Sequence, residues 1–188
     1  MNTTVIVILS VMFAIFVLIG LFILGIYNSL VSLRQRVKNA WSQIDVQLKR
    51  RHDLIPNLVN TVKGYAKHEQ ETFSKVMEAR AAATQVKLPS QAIKAEGELS
   101  GALARLMAVA EAYPELQADK NFLALQEELV ATENKISFAR QFYNDSTTAY
   151  NTKIELFPTI LFARFFEFLP ETLFEANETE KSAPSVQF

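Results

Sequence analysis

The chain has no cysteine, and its 188 residues include only five glycines, two histidines and one tryptophan. Without a thiol there is no disulfide framework, thiolate zinc site, cysteine nucleophile or cysteine-linked lipid. The glycines at 20, 25, 64, 97 and 101 are scattered, so no glycine-rich phosphate loop exists. His68-Glu69-Gln70-Glu71 opens like a zinc-protease motif, yet the second histidine position is Thr72. One His and one Glu would leave a metal underligated, and His52 lies across an expected helix break. The serines lack a His-Asp arrangement to activate them. No catalytic residue, cofactor or metal site is expected.

What the sequence does have is one long apolar run. Val5 to Ile26 gives 22 residues without a charge, interrupted only by Ser10, Gly20 and Gly25. As a helix it covers about 33 Å, enough for a hydrocarbon core of about 30 Å. A cleaved signal peptide would carry a shorter apolar stretch after positive charges, and Met1 to Thr4 hold neither Lys nor Arg. A retained single-pass anchor is therefore expected. Arg34, Arg36 and Lys38 follow it, which predicts an external N-terminus and a cytoplasmic body; the reverse orientation is the alternative. Ser10 and Ala14 form a small-xxx-small pair.

Beyond the span, apolar residues recur in steps of three and four, and no stretch alternates with period two. Leu30, Leu33, Val37, Trp41, Ile44 and Leu48 mark a first stripe, continuous with the membrane helix because no Gly or Pro intervenes. Pro56 predicts a turn or kink between Arg51 and Pro56. There Arg50, Arg51, Asp53 and Asn57 form a polar knot that would satisfy free backbone groups. A second helix to about Val86, a third capped by Ser90 and ending at Tyr113-Pro114, and a long fourth running almost to Ile154 complete the pattern. The expected fold is all-α: a transmembrane helix continuing into an antiparallel up-down four-helix bundle. The expected divisions are 1–27 (anchor), 28–156 (bundle), 157–176 (Phe/Pro-rich segment near the membrane) and 177–188 (polar tail).

The segment from Phe157 to Ala176 holds six of fourteen phenylalanines: Phe157, Phe162, Phe165, Phe166, Phe168 and Phe174. Burying six would stabilise by up to about 9 to 18 kcal/mol, so the segment must pack on something. Its own bundle, a second copy and the lipid interface are the three surfaces available. Acidic Glu167, Glu171 and Glu175 argue against simple adsorption to anionic lipid. Charge is also segregated. Tyr27 to His68 carries eight basic and two acidic residues, a net +6, and the chain from Glu69 carries eleven and eighteen, a net −7. The two halves can pair inside the bundle or between neighbouring copies. Nucleic acid is not an expected partner, because the basic residues lack interleaved exposed aromatics.

The run YNSLVSLRQRVKNAWSQIDVQLKRRHDLIPNLVNTVKGYAKHEQETFSKVMEARAAA, Tyr27 to Ala83, resembles the LemA family of bacterial single-span membrane proteins. The likeness continues through Glu111 to Leu129, Thr132 to Asp145 and the Phe157-Pro158 turn. Family members often have Gly-rich sequence ahead of the terminal Phe-Pro pattern, where this chain has Ala163-Arg164-Phe165-Phe166-Glu167. The resemblance implies a membrane-anchored helical bundle, with one relative that helps build magnetosome membranes and others that accompany an HtpX-type membrane metalloprotease. Together with the residues it predicts a non-enzymatic scaffold that associates with itself and with the bilayer. The alternative is an adaptor for a membrane protease or another envelope protein.

Overall fold

Helix is the only regular secondary structure among the described residues, which in this computed structural model are 3–86 and 89–174, the side chain of Ser90 excepted. The elements are α1 (Thr3–Tyr65), α2 (Gln70–Gln85), α3 (Pro89–Glu111), α4 (Pro114–Gln117), α5 (Lys120–Glu155) and α6 (Thr159–Phe165). The all-α expectation holds, with two short helices added to it. α4 is a single turn that Pro114 initiates, since a helix's first residue needs no amide donor. The Ser90 cap and the 177–188 tail fall outside the described residues.

The expected turn before Pro56 is absent. α1 passes through Pro56 and ends at Tyr65. A proline withholds the amide that would bond the carbonyl four residues earlier, here that of His52. Arg80 of α2 replaces it, its Nε donating to His52 O at 2.6 Å. With that acceptor satisfied by a neighbouring helix, the chain has no need to turn. The turn comes instead at Ala66–Glu69, just after Gly64, a residue that weakens a helix end.

The chain forms two compact units, Met1–Asn39 with Asp145–Glu171, and Ala40–Asn144 with the chain from Thr172. The second unit holds the main core. Ile55, Leu58, Val59 and Val62 of α1 meet Phe73 and Val76 of α2, Leu99, Leu103 and Leu106 of α3, Leu116 of α4, and Phe122 and Leu129 of α5. These are the stripe positions of the helix period, which is why each helix presents one apolar face inward. α5 runs antiparallel to α1 here: Tyr65 Oη donates to Asp119 Oδ2 at 3.0 Å, while Arg50, fifteen residues earlier, pairs with Glu128. Asp119 also caps α5, its Oδ1 accepting from the amides of Asn121 and Phe122 at 2.9 Å each. Those amide bonds, that of Phe122 first, and the Tyr65 hydroxyl hold the Asp119 carboxyl below the usual carboxylate range.

In the first unit, the start of α1 is the one helix among the described residues long and apolar enough to cross a membrane. Its side chains from Val5 to Leu24 are exposed nearly throughout. Ser10 does not leave a polar group bare, since its hydroxyl donates to Val7 O at 2.9 Å. Past the span, Leu30 and Val37 are buried together with Tyr150 and Ile154 of α5 and Ala163 of α6.

Two outcomes follow. Arg80→Met should lower stability by about 1.5–3 kcal/mol, the worth of a hydrogen bond from a charged donor. In a Pro56→Ala background, where residue 56 regains its amide, the same change should cost clearly less; urea titrations of the detergent-solubilised chain followed by circular dichroism measure both. Asp119 titrates lower in the folded chain than in the unfolded one. Its contribution is therefore present above the ordinary carboxylate range and is lost as pH falls through its folded value. Asp119→Asn keeps a capping oxygen without the titration, so its thermal midpoint should fall less than the wild type's between about pH 5 and pH 2.

Candidate functional site

Leu48, Arg51, Ile55, Leu58 and Val62 follow one another at steps of three and four along α1, and Ala92, Glu96, Leu99, Leu103 and Leu106 do so along α3. Both charged residues thus occupy positions that the helix period turns inward, and both are buried. Arg51 Nη1 donates to Glu96 Oε2 at 3.1 Å, Nη2 donates to Ser100 Oγ at 2.6 Å, and Nε lies 3.0 Å from Glu133 Oε1 in an ion pair. The other carboxylate oxygen, Glu96 Oε1, is 2.7 Å from His52 Nε2. A carboxylate only accepts, so the proton of that bond belongs to the imidazole. His52 Nδ1 faces Thr84 Oγ1 at 3.5 Å, and the His52 carbonyl is held by Arg80.

This cluster joins α1, α2, α3 and α5 at one level. The two Nη nitrogens of Arg51 and both oxygens of Glu96 bond side chains of the chain itself, whereas Arg51 Nε faces Glu133 in an ion pair without making a hydrogen bond. Arg51 and Glu96 are buried in it, whereas the Glu133 side chain stays 43% exposed.

The residues singled out from sequence separate. Arg51 enters the buried cluster. Arg50 makes a surface pair with Glu128, both about half exposed. Asp53 and Asn57 are exposed, and the Asn57 carbonyl accepts from Thr61 Oγ1 at 2.9 Å within the helix. There is no helix end here for them to cap, so the knot at a break is corrected to a buried ion cluster in an unbroken helix. Glu96, Ser100, Glu133, Arg80 and Thr84 were not foreseen. The signal available for Glu96 was its place on an otherwise apolar stripe. His68 is exposed, and among the described residues no three His, Asp or Glu side chains are grouped to hold a metal. Segregated charge closes in part inside the chain, through Arg50–Glu128, Arg51–Glu96 and Arg51–Glu133.

The six phenylalanines also divide. Phe168 and Phe174 are buried, Phe162 is half-buried, and Phe157, Phe165 and Phe166 are exposed. In the first unit, Tyr150 Oη donates to Leu169 O at 2.9 Å, and the Asn151 amide bonds both the N–H and the C=O of Glu171 at 2.9 and 2.8 Å. Burial raises the Tyr150 hydroxyl above its ordinary value, with Glu171 adding to the effect. The second unit repeats the device: Tyr143 Oη donates to Thr172 O, and Asn144 bonds both backbone groups of Phe174. Two Tyr-Asn pairs seven residues apart in α5 thus pin the extended chain through its backbone.

A family model described as LemA family matches residues 40–188, taking in the ion cluster and both Tyr-Asn pairs. The chain belongs to the LemA family. Protein LemA of Metamycoplasma hominis is 27% identical, over 84% of this chain and 72% of its own length. Magnetosome protein MamQ 2 of Paramagnetospirillum magneticum is 28% identical and Magnetosome protein MamQ of Magnetospirillum gryphiswaldense 27%, each over 70% of this chain. This chain spans 58% of each magnetosome relative, less than two thirds of their length. The match to the LemA family begins after the apolar span, so the span is a feature of this chain that the family model does not cover.

If the cluster of this LemA family chain is structural, its partners should fail asymmetrically. Glu96→Ala leaves a buried guanidinium without its main partner and should cost about 3–5 kcal/mol. The double change Arg51→Met with Glu96→Leu removes both charges and should recover most of that loss in urea titrations.

Proposed function

We propose that this chain is a non-enzymatic, membrane-anchored scaffold that associates with copies of itself and organises membrane or membrane proteins. One observation carries this reading: the helix that supplies the apolar span, α1, also supplies Ile55, Leu58, Val59 and Val62 to the main core. The ion cluster supports the non-enzymatic part, because Arg51 and Glu96 are buried and paired with each other. The magnetosome relatives support work at membranes, an inference from their names alone. By flanking charge, the N-terminus faces outward and the bundle lies in the cytoplasm at a bacterial inner membrane.

The surface that would join copies is a groove of about 580 Å³ in the second unit, lined by Val46, Gln47, Phe138 and Phe142 among others, with Val46 and Phe138 exposed. Each copy carries this groove and its own anchor. Tethering to one bilayer raises the effective concentration of such faces, so modest contacts suffice for association. Light scattering of the full chain in mild detergent should give a mass above one chain that rises with concentration, and Val46→Asp with Phe138→Asp should return it to one chain. A wild type that is monomeric at every concentration would sink self-association. The adaptor reading would then gain ground if crosslinking in cells yields a heterologous membrane partner at fixed stoichiometry.

A further inference from the structure

The first unit carries a second apolar surface, built from the other end of the chain. Phe157 lies in the turn just before α6, and Leu161 and Phe165 lie one turn apart on one face of it. They are 80%, 59% and 78% exposed, and Leu169 just beyond them is 73% exposed. The opposite side of the same segment is fixed. Thr159, Ala163 and Phe168 are buried, and Tyr150 and Asn151 hold the backbone at Leu169 and Glu171. Mobility therefore does not account for the exposure of these side chains: they are held outward by a packed support.

Where the stripe sits is given by Tyr27, the residue that immediately follows the 22-residue apolar run. Its ring meets Phe166 edge-on at 5.2 Å and Phe168 at 5.8 Å. The end of the span and the end of α6 are thus at one level. Arg34, two turns further along α1, lies over the Phe168 ring at 4.9 Å. Tyrosine at the end of a span and arginine beyond it is the order in which these residues occupy a membrane–water interface.

We infer that the exposed Leu161 and Phe165 face of α6, with Phe157 just before it and Leu169 just after it, is seated in the lipid interface beside the span, making α6 a second membrane contact. The occupant is the boundary between headgroups and acyl chains. Continuity with the span favours lipid over a protein partner, because a protein covering the stripe would have to displace lipid that already surrounds the end of the span. The seat is apolar in origin. Arg164 is opposed by Glu167 and Glu171, so attraction to anionic headgroups contributes little. This inference rests on α1 spanning the bilayer.

The test uses the full chain reconstituted in phosphatidylcholine vesicles with brominated acyl chains. The only native tryptophan is Trp41. It lies against Tyr143 at 5.6 Å in the second unit, fifteen residues past Ile26, and wild type therefore serves as the reference. In a Trp41→Phe background, Phe165→Trp should emit at short wavelength and be quenched at least several-fold more by shallow bromines than Trp41 is. Adding anionic lipid or salt should change the quenching by less than twofold. Long-wavelength emission without bromine quenching would overturn the seat, as water would then cover the stripe. Short-wavelength emission without bromine quenching would overturn it too, in favour of a protein cover such as a second copy. Flotation after an alkaline wash keeps the two readings distinguishable: a chain that leaves the vesicles defeats the anchor, whereas a Phe165→Trp chain that stays on them with its introduced indole unquenched defeats only the seat.

Discussion

The carbonyl of His52 loses its helical donor because residue 56 is proline, and much of the second unit depends on how that deficit is met. A guanidinium from α2 supplies the missing bond. α1 can then continue past the proline, and its last three turns bring Ile55, Leu58, Val59 and Val62 into the core. Had the helix ended at Arg51, those residues would have needed another element to present them, and Tyr65 would not reach the cap of α5 at Asp119. One side-chain bond thus permits the apolar burial that far outweighs it.

The ion cluster lies beside this proline-freed carbonyl for a related reason. Desolvating a guanidinium and a carboxylate costs several kcal/mol per ion, and their mutual attraction offsets this only when nearly all their hydrogen-bonding groups are met. Here Ser100 and His52 supply hydrogen bonds and Glu133 an ion pair, leaving Arg51 Nε as the one buried nitrogen of the pair without a hydrogen bond. An apolar pair would stabilise at least as well, but it would tolerate α3 sliding along α1 by a turn. Opposite charges at single stripe positions do not, since any other register leaves both buried and unpaired. Specification of register is the role best matched by this geometry.

The helices themselves were legible in the sequence because periodic burial leaves a direct trace: Leu30, Val37, Ile44 and Leu48 in α1, Leu99, Leu103 and Leu106 in α3, and Phe122, Leu129, Ile136 and Tyr143 in α5 are all buried as their spacing requires. Pro56 misled for an equally physical reason. Local rules record that proline removes a donor, but not that an arginine 24 residues later replaces it. Glu96 was similarly hidden in composition, where it counts as one more surface acid, although its stripe position marked it. The paired Tyr-Asn steps of α5 were not foreseen, because their role depends on an extended segment whose own sequence carries no strand pattern.

That segment also explains how one stretch can be both core and surface. α6 ends at Phe165 and is closed two residues on by Glu167, whose φ of 57° is left-handed. The Phe168 amide reaches back to Ala163 O at 2.9 Å, and the Glu167 amide to Arg164 O at 3.3 Å, the paired bonds that close a helix around such a residue. A glutamate in this conformation costs about 1–2 kcal/mol where glycine would cost little. Reversal of the chain at that point turns Phe168 inward, beneath Tyr27 and Arg34, and leaves Phe165 outward on the helix it has just left. Six phenylalanines in twenty residues are therefore not one sticky patch. The turn sorts those in the first unit into an inner set that fastens the segment to its own chain and an outer set held in a fixed plane beside the end of the apolar span.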